Sequence, residues 1–361
     1  MKPRAAGYPE GMRVVVTGAT GNVGTSVLEA LSRDENVESI LGLARRTPRL
    51  EVPKTSWARA DVVSDDLAAH FRGADAVVHL AWAIQPSRRV GELHAVNVSG
   101  SRRVFAAVAE AEVPALVYAS SVGAYGKGPK DKPVDEGWPT AGVPTSFYSR
   151  HKAQVERILD GFETESPETR VVRLRPGLIF KGEAAEEIRR LFAGPFLPSF
   201  LIRPRLLPVV PAIPGLRFQA VHSADVGEAY RLAVTKDVRG AFNIAAEPVL
   251  DPPELARALD ARPVPVPARV ARALADVTWR LRIQPSPPGW LDMALAVPIM
   301  DTSRARDELG WNSRHTSVEA LVELIEGIGE GEGAETPPLD PDAGGPARTG
   351  EIATGIGGRD T

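Results

Sequence analysis

Met12-Arg13-Val14-Val15-Val16-Thr17-Gly18-Ala19-Thr20-Gly21-Asn22-Val23-Gly24 is a β-branched run that passes into glycines spaced Gly-x-x-Gly-x-x-Gly and then into a helix-like stretch. Branched side chains suit a pleated, buried strand. The glycines permit a tight turn and let backbone N–H groups approach a pyrophosphate, while the positive end of the following helix faces the same place. A glycine-rich turn also serves as a plain connector, so the strand before it and the helix after it carry the meaning. In that context Gly18, Thr20, Gly21, Asn22, Val23 and Gly24 read as the phosphate loop of a dinucleotide site.

Working outward, strand-like and helix-like segments alternate. Strands are expected at Arg13–Thr17, Ile40–Ala44, Ala74–Leu80, Ala115–Ala119 and Arg170–Leu174, with helices at Thr25–Ser32, Val96–Glu112 and Tyr148–Phe162. Such alternation implies right-handed crossovers and a parallel sheet covered on both faces. The expected fold is α/β, a Rossmann-type doubly wound parallel sheet with a smaller, interleaved C-terminal substrate lobe. After Arg175-Pro176-Gly177 the texture changes: Glu183–Phe192 looks helical, and the Pro-rich apolar stretch Phe192–Leu216 resists any regular element. Returning strands are expected at Arg217–His222 and Gly240–Ala245 around a helix Asp225–Val234, followed by helices Pro252–Leu259 and Ala268–Leu281. The boundaries are then a 1–11 extension, a dinucleotide domain of 12–176 plus 217–246, a substrate lobe of 177–216 plus 247–328, and a disordered tail, 329–361.

Composition narrows the function. The 361 residues carry 43% hydrophobic and 25% charged side chains and a formal net charge of −3, ordinary for a globular chain and without the basic field of a nucleic-acid binder. Cysteine is absent, which removes thiolate nucleophiles, disulfides and Cys-ligated zinc. The six histidines show no metal-ligand spacing, so no metal is expected. The long apolar stretch is broken by six prolines and two arginines, too interrupted to span a bilayer. No secretory leader is legible at the N-terminus. A cytoplasmic protein acting on a small molecule is expected, with no nucleic-acid or membrane partner.

The end of the second strand is where an acidic residue binds the adenosine ribose in NAD binders. Here the run is Leu43-Ala44-Arg45-Arg46. Two guanidiniums suit a 2′-phosphate, so NADP(H) is favoured and NAD(H) stays possible; a solvated basic turn is the plainer alternative. Farther on, Tyr148 and Lys152 share a helix face at i, i+4. A free phenol titrates near 10. A neighbouring ammonium is expected to favour the phenolate, making Tyr148 an acid/base near neutral pH.

With these residues in place the sequence resembles the extended short-chain dehydrogenase/reductase superfamily, the NAD-dependent epimerase/dehydratase-like proteins. The resemblance rests on eight short motifs in order. They are Thr17–Gly24, Asp61-Val62, Val77–Ala81, Asn97–Gly100, Val117–Ser121, Tyr125-Gly126, Tyr148-x-x-x-Lys152 and Leu174–Gly177. It covers Met12 to about Val234 and continues weakly to Asp301–Trp311. It implies Tyr148 as acid/base, Lys152 as the residue that holds the nicotinamide ribose and biases Tyr148, and Ser121 as hydrogen-bond donor to the substrate oxygen. It further implies Asp61 and Val62 at the adenine, Leu80, Ala81 and Trp82 along the adenosine ribose, Pro176 at the cofactor, Asn97 as a structural support, and a homodimer.

Departures from the family pattern decide between reactions. Sugar-nucleotide 4,6-dehydratases carry an Asp-Glu pair after the catalytic Ser/Thr, where this chain has Val122 and Gly123. Phe218 stands where UDP-sugar epimerases usually place a pyrophosphate-binding Arg. The segment with Phe192, Phe196, Leu197, Phe200, Leu201, Ile202, Leu206 and Leu207 offers few donors to a diphosphate and is read either as an apolar lid or as ordinary packing. Trp82, Trp138 and Trp290 are candidate pocket borders, and His79 is expected to be structural. The expected activity is ketone/secondary-alcohol hydride transfer on a largely apolar small molecule. An NAD-dependent sugar-nucleotide epimerase is the alternative within the class, and a non-catalytic cofactor sensor or scaffold the alternative outside it.

Overall fold

Val14, Val15 and Val16 are buried together at the centre of the sheet, a continuous apolar run that suits a strand covered on both faces. The computed structural model describes residues 11–85, 87–192 and 208–344. In chain order the elements begin with β1 (Met12–Thr17), α1 (Asn22–Ser32), β2 (Val37–Ala44), β3 (Thr55–Arg59), α2 (Ala68–Phe71), β4 (Ala76–His79) and α3 (Val90–His94). A π-helical turn, Ala95–Gly100, leads into α4 (Ser101–Glu110), then β5 (Ala115–Ala119), α5 (Phe147–Glu165), β6 (Arg170–Pro176), β7 (Leu178–Phe180) and α6 (Ala185–Phe192). After residue 207 come β8 (Val209–Ala212), β9 (Ala220–His222), α7 (Ser223–Thr235), β10 (Gly240–Ile244), α8 (Pro252–Ala258) and β11 (Arg262–Pro265). The described chain closes with α9 (Ala268–Arg280), α10 (Gly289–Ala296) and α11 (Ser317–Glu330).

Seven strands form one sheet in the order β10-β6-β5-β4-β1-β2-β3, and every pair is parallel. This is the doubly wound order, which reverses direction between β1 and β4. The crevice beyond the carboxyl ends of the strands at that reversal is where such folds bind ligands. Two short parallel pairs, β7 with β9 and β8 with β11, sit outside the main sheet. Among the described residues no helix is long and apolar enough to cross a membrane.

Four differences from the sequence expectations have physical causes. Strand β3 has no apolar alternation because it is the sheet's edge, and its residues are half-buried or exposed. The expected helix Val96–Glu112 opens with a π turn, a widened turn in which Asn97 sends its amide to Ala83. Ala305, Leu309 and Trp311 belong to the core of the main sheet rather than to the substrate lobe, and Trp311 Nε1 donates to Asp225 O at 2.7 Å. The tail does not start at 329. Helix α11 runs to Glu330, capped at its start by reciprocal hydrogen bonds between Thr316 and Glu319 and ended by Gly331 in the left-handed conformation. The chain then folds back as a strap over the phosphate loop, with Leu339 fully buried and Thr336 Oγ1 donating to Thr20 O at 2.9 Å. Residues 345–361 lie outside the described residues.

Strand β6 is unusual in burying three arginines, Arg170, Arg173 and Arg175. Arg170 donates to Ala233 O and Val234 O in the last turn of α7 and to Val238 O in the connection that follows it. Arg173 and Arg175 point to the opposite face, as strand periodicity requires, and meet Glu156 of α5.

Candidate active site

The glycine-rich loop expected to hold a pyrophosphate is shaped by two close approaches. Gly18 has φ +71°, and a Cβ there would stand 2.6 Å from Ala81 N. A Cβ on Gly24 would stand 2.5 Å from Ala19 O, so α1 can pack against the loop only with hydrogen at that position. Gly21 is different: a Cβ would meet nothing nearer than Gly18 O at 3.6 Å and would project into open groove. Two cavities flank this loop. The first, about 150 Å³, is lined by Gly18, Thr20, Gly21, Arg45, Asp61, Val62, Leu80, Ala81 and Trp82 among others. The second, about 280 Å³, is lined by Asn22, Val23, Gly24, Ser121, Tyr148, Lys152 and Pro176, and it shares Gly18, Gly21, Leu80 and Trp82 with the first. Of the residues singled out from sequence, Arg46 lines neither cavity and is exposed.

Helix α5 presents Tyr148 because Ser146 caps its start, accepting from Ser149 N, while Ser149 Oγ donates to Gly123 O at 2.6 Å. The same contact explains Gly123. A Cβ there would lie 2.8 Å from Tyr148 Cε1, so the ring occupies the space that a carboxylate side chain would need. Ser121 faces the second cavity, while the neighbouring Ser120 hydroxyl is committed to the Glu156 carboxylate. Asn97 ties the loop after β4 to the π turn, accepting from Ala83 N at 2.7 Å and donating to Ala83 O at 2.8 Å. His79 sits buried between Thr17 Oγ1 and Ser101 Oγ; burial drives its pKa down to about 3, so it is neutral and structural.

The electrostatics of the Tyr–Lys pair differ from the sequence expectation. Lys152 does not point its ammonium at the phenol: it donates to Ala119 O at 2.6 Å and rests 3.5 Å from the centre of the Trp82 ring. Its distance to the Tyr148 ring centre is 5.8 Å. Burial therefore dominates both groups. The Tyr148 phenol is pushed up to about 12, opposed by its hydrogen bond with Ser121, and the Lys152 ammonium is pulled down to about 7, opposed by the Glu156 carboxylate.

Several lining residues carried no sequence signal. Glu187 of α6 borders both cavities, and Pro338 of the C-terminal strap borders the first. Ile84, Val122, Ile179, Phe180, Ile188, Leu191, Tyr230 and Met293 complete the second cavity. Trp82 and Trp290 border it as expected, and Trp290 lies 4.9 Å from the Tyr148 ring, whereas Trp138 packs elsewhere beside Tyr125 and Met300. Phe192 lines the cavity and meets Trp290 edge to face. The remaining aromatic and leucine positions of the expected lid, Phe196 to Leu207, lie outside the described residues.

Residues 14–245 match the family described as NAD dependent epimerase/dehydratase. The chain belongs to that family. It is 25% identical over 348 residues to the "Uncharacterized protein Rv0501" of Mycobacterium tuberculosis, covering 91% of this chain and 86% of that protein. It is 24% identical over 349 residues to the 4-hydroxy-2-methyl-3-oxo-4-farnesyl-3,4-dihydroquinoline-1-oxide ketoreductase of Stigmatella aurantiaca, covering 90% and 98% of the two chains. In fold it is similar to the Thermus thermophilus UDP-glucose 4-epimerase in complex with NAD, with a TM-score of 0.63, 22% identity and coverage of 88% and 99%.

The family implies a nicotinamide dinucleotide, and the local chemistry fits one. Helix α1 begins at the loop with no side-chain cap and no acidic residue in its first turn, leaving N–H donors and the positive dipole end for an anion. Asn22 Oδ1 and Trp82 Nε1 are buried without a hydrogen-bond partner among the described residues, and both residues line the second cavity. Among the described residues no cluster of His, Asp or Glu is arranged to hold a metal.

Proposed function

We propose that this member of the NAD dependent epimerase/dehydratase family is an NAD(P)-dependent oxidoreductase that interconverts a ketone and a secondary alcohol on a largely apolar small molecule. The observation that carries this reading is the second cavity itself. Around Ser121 and Tyr148 its described walls are Ile84, Val122, Ile179, Phe180, Ile188, Leu191, Phe192, Trp290 and Met293, and the charged groups among them are Lys152 and Glu187. A diphosphate sugar calls for several cationic donors; an apolar ketone calls for one donor at its oxygen and dry walls elsewhere. The relative from Stigmatella aurantiaca, named as a ketoreductase of a farnesylated quinoline oxide, supports the same reading.

In this proposal Gly18, Thr20, Gly21, Asn22, Val23 and Gly24 hold the pyrophosphate, Asp61, Val62, Leu80, Ala81 and Trp82 the adenosine side, and Lys152 and Pro176 the nicotinamide side. The bound nicotinamide supplies or accepts the hydride at the carbinol carbon. Ser121 donates a hydrogen bond to the substrate oxygen and holds it beside Tyr148. The Tyr148 hydroxyl gives that oxygen its proton in reduction and takes it back in oxidation. A phenol held near 12 stays protonated at neutral pH, which suits the donor role in ketone reduction. Arg45, which lines the first cavity, favours NADP(H) over NAD(H) in this reading. The homodimer implied by the sequence resemblance belongs to the same proposal and is measured by sedimentation.

The test begins with denaturing the purified protein and identifying any released nucleotide, then titrating the stripped protein with NADPH and NADH. Oxidation of NADPH is next followed with aryl, alkyl and prenyl ketones beside UDP-glucose. NADPH-dependent reduction of the apolar ketones, with no UDP-glucose epimerisation, supports the proposal. Stoichiometric retained NAD with epimerisation of the sugar nucleotide overturns it in favour of the epimerase. Cofactor binding without turnover favours a non-catalytic sensor, and binding of neither nucleotide removes the support for an enzyme.

A further inference from the structure

Helix α9 is amphipathic in the reverse sense to a helix on a globular surface. At about 100° per residue, Val270, Leu274, Val277 and Leu281 fall within one narrow stripe. That stripe faces outward, with exposures of 57%, 63%, 51% and 65%, and no residue of the helix is buried. The opposite side anchors it to the body. Arg272 pairs with Asp292 of α10 at 2.8 and 3.1 Å, and Arg88 lies 4.5 Å over the Trp279 ring while donating to Trp279 O. Polar anchors beneath and aliphatic side chains in water are not what folding alone selects.

Charge says what covers the stripe. Residues 268–283 hold Arg269, Arg272, Arg280 and Arg282; Arg280 pairs with Asp276 at 2.9 Å and Arg272 with Asp292, which leaves the positive charge of Arg269 and Arg282 on a chain whose formal net charge is −3. Arg269 and Arg280 fall along one border of the stripe, and Arg282 follows its last leucine. Pairing α9 with itself antiparallel about the middle of the stripe would set Arg269 of one copy opposite Arg282 of the other, like charge on like. The apolar segment 193–207 of this chain carries Arg203 and Arg205 and no acidic residue, so it offers no complement either.

We propose that α9 lies on an anionic lipid surface, its leucine–valine stripe among the acyl chains and Arg269 and Arg282 at the headgroups. A helix of this kind rests in the interface and spans nothing. This departs from the sequence expectation of no membrane partner, because hydropathy windows find long apolar runs and overlook four aliphatic residues spread along twelve. Helix α10, beside α9, sends Trp290 and Met293 into the second cavity, so docking would place that cavity one helix from the bilayer. The use of that proximity to collect an apolar substrate rests on the proposed function; the docking does not.

The test is flotation of the full-length protein with phosphatidylglycerol/phosphatidylethanolamine vesicles and with pure phosphatidylcholine vesicles, at low and high salt. Binding to the anionic vesicles, weakened by salt and at least tenfold weaker to phosphatidylcholine, is expected. Leu274→Glu/Leu281→Glu should lower it at least tenfold while leaving NADPH affinity and the far-ultraviolet spectrum unchanged. Arg269→Gln/Arg282→Gln, which leaves the stripe intact, should abolish most of the salt dependence. No flotation, equal flotation with both lipids, or flotation indifferent to both double variants overturns the proposal. A wild-type dimer that Leu274→Glu/Leu281→Glu splits, without vesicle binding, overturns it in favour of a second copy.

Discussion

Replacing Glu156 by Gln tests whether the floor of the site is held by charge. This carboxylate has a side chain only 1% exposed; it accepts a bidentate pair from Arg175 at 2.9 and 3.0 Å and another hydrogen bond from Arg173 at 2.9 Å, besides the Ser120 hydroxyl. Burial raises its pKa, but the two guanidiniums win and hold it at about 2 against an ordinary 4.5. At about 1.4 kcal/mol per unit, that difference contributes about 3 kcal/mol of stability at neutral pH. Removing one partner of a buried ion pair costs about 3–5 kcal/mol, which agrees. Arg173 would keep Asp160 and Glu163, so the loss falls on Arg175, left with Glu136 O and Tyr125 Oη. The pKa is depressed in the fold, so the stabilisation is complete above about 4.5 and is lost as pH falls towards 2. Urea unfolding of wild type and Glu156→Gln across pH 2.5–7 should therefore show a gap of about 3 kcal/mol at pH 7 that closes on acidification. A gap below about 1 kcal/mol at pH 7, or one independent of pH, would refute the reasoning.

Four further outcomes follow from the site. Tyr148→Phe should lower turnover about 100- to 10,000-fold with NADPH affinity retained, measured by steady-state kinetics and fluorescence titration. Because the Lys152 pKa is lowered to about 7, its ammonium is present below that pH and lost above it. NADPH affinity should accordingly decline as pH rises through about 7, and Lys152→Arg should flatten the profile. Gly21→Leu should weaken NADPH binding at least tenfold with the unfolding midpoint held, since its side chain enters groove rather than core; an equal loss of both would contradict this. Thr336→Val removes one buried hydrogen bond to the phosphate loop, worth about 1 kcal/mol, and should speed NADPH release about fivefold in stopped-flow fluorescence.

The motifs were legible because they are local. Gly18–Gly24 sits on one strand–turn–helix, Tyr148 and Lys152 on one helix face, and Ser121 at the end of one strand, so short-range spacing sets their placement. The edge strand β3 had no such signal, since none of its residues is fully buried and neither face selects an apolar alternation. The C-terminal strap was illegible for a similar reason. Its Gly, Pro and acidic composition reads as tail, and its order comes from Thr336 and Leu339 finding partners more than 300 residues upstream or within its own turn.

The sequence by itself determined the doubly wound fold, the glycine-rich strand–turn–helix and the shared helix face of Tyr148 and Lys152, because periodicity, glycine placement and helical spacing are properties of neighbouring residues, while Ser121 came from the family resemblance. Only the tertiary structure decided the electrostatics. Spacing put Lys152 beside Tyr148, but the ammonium's direction was fixed by Ala119 O and the Trp82 ring, and its pKa by burial beside Glu156. Nothing local in the sequence marked the three arginines of β6 for burial, and packing against α5 and α7 put them in the interior. Helix α9 shows the converse, an ordinary amphipathic pattern whose apolar side the fold leaves facing outward. Which face of an element meets water depends on what stands against it, and that is settled by contacts remote in the chain.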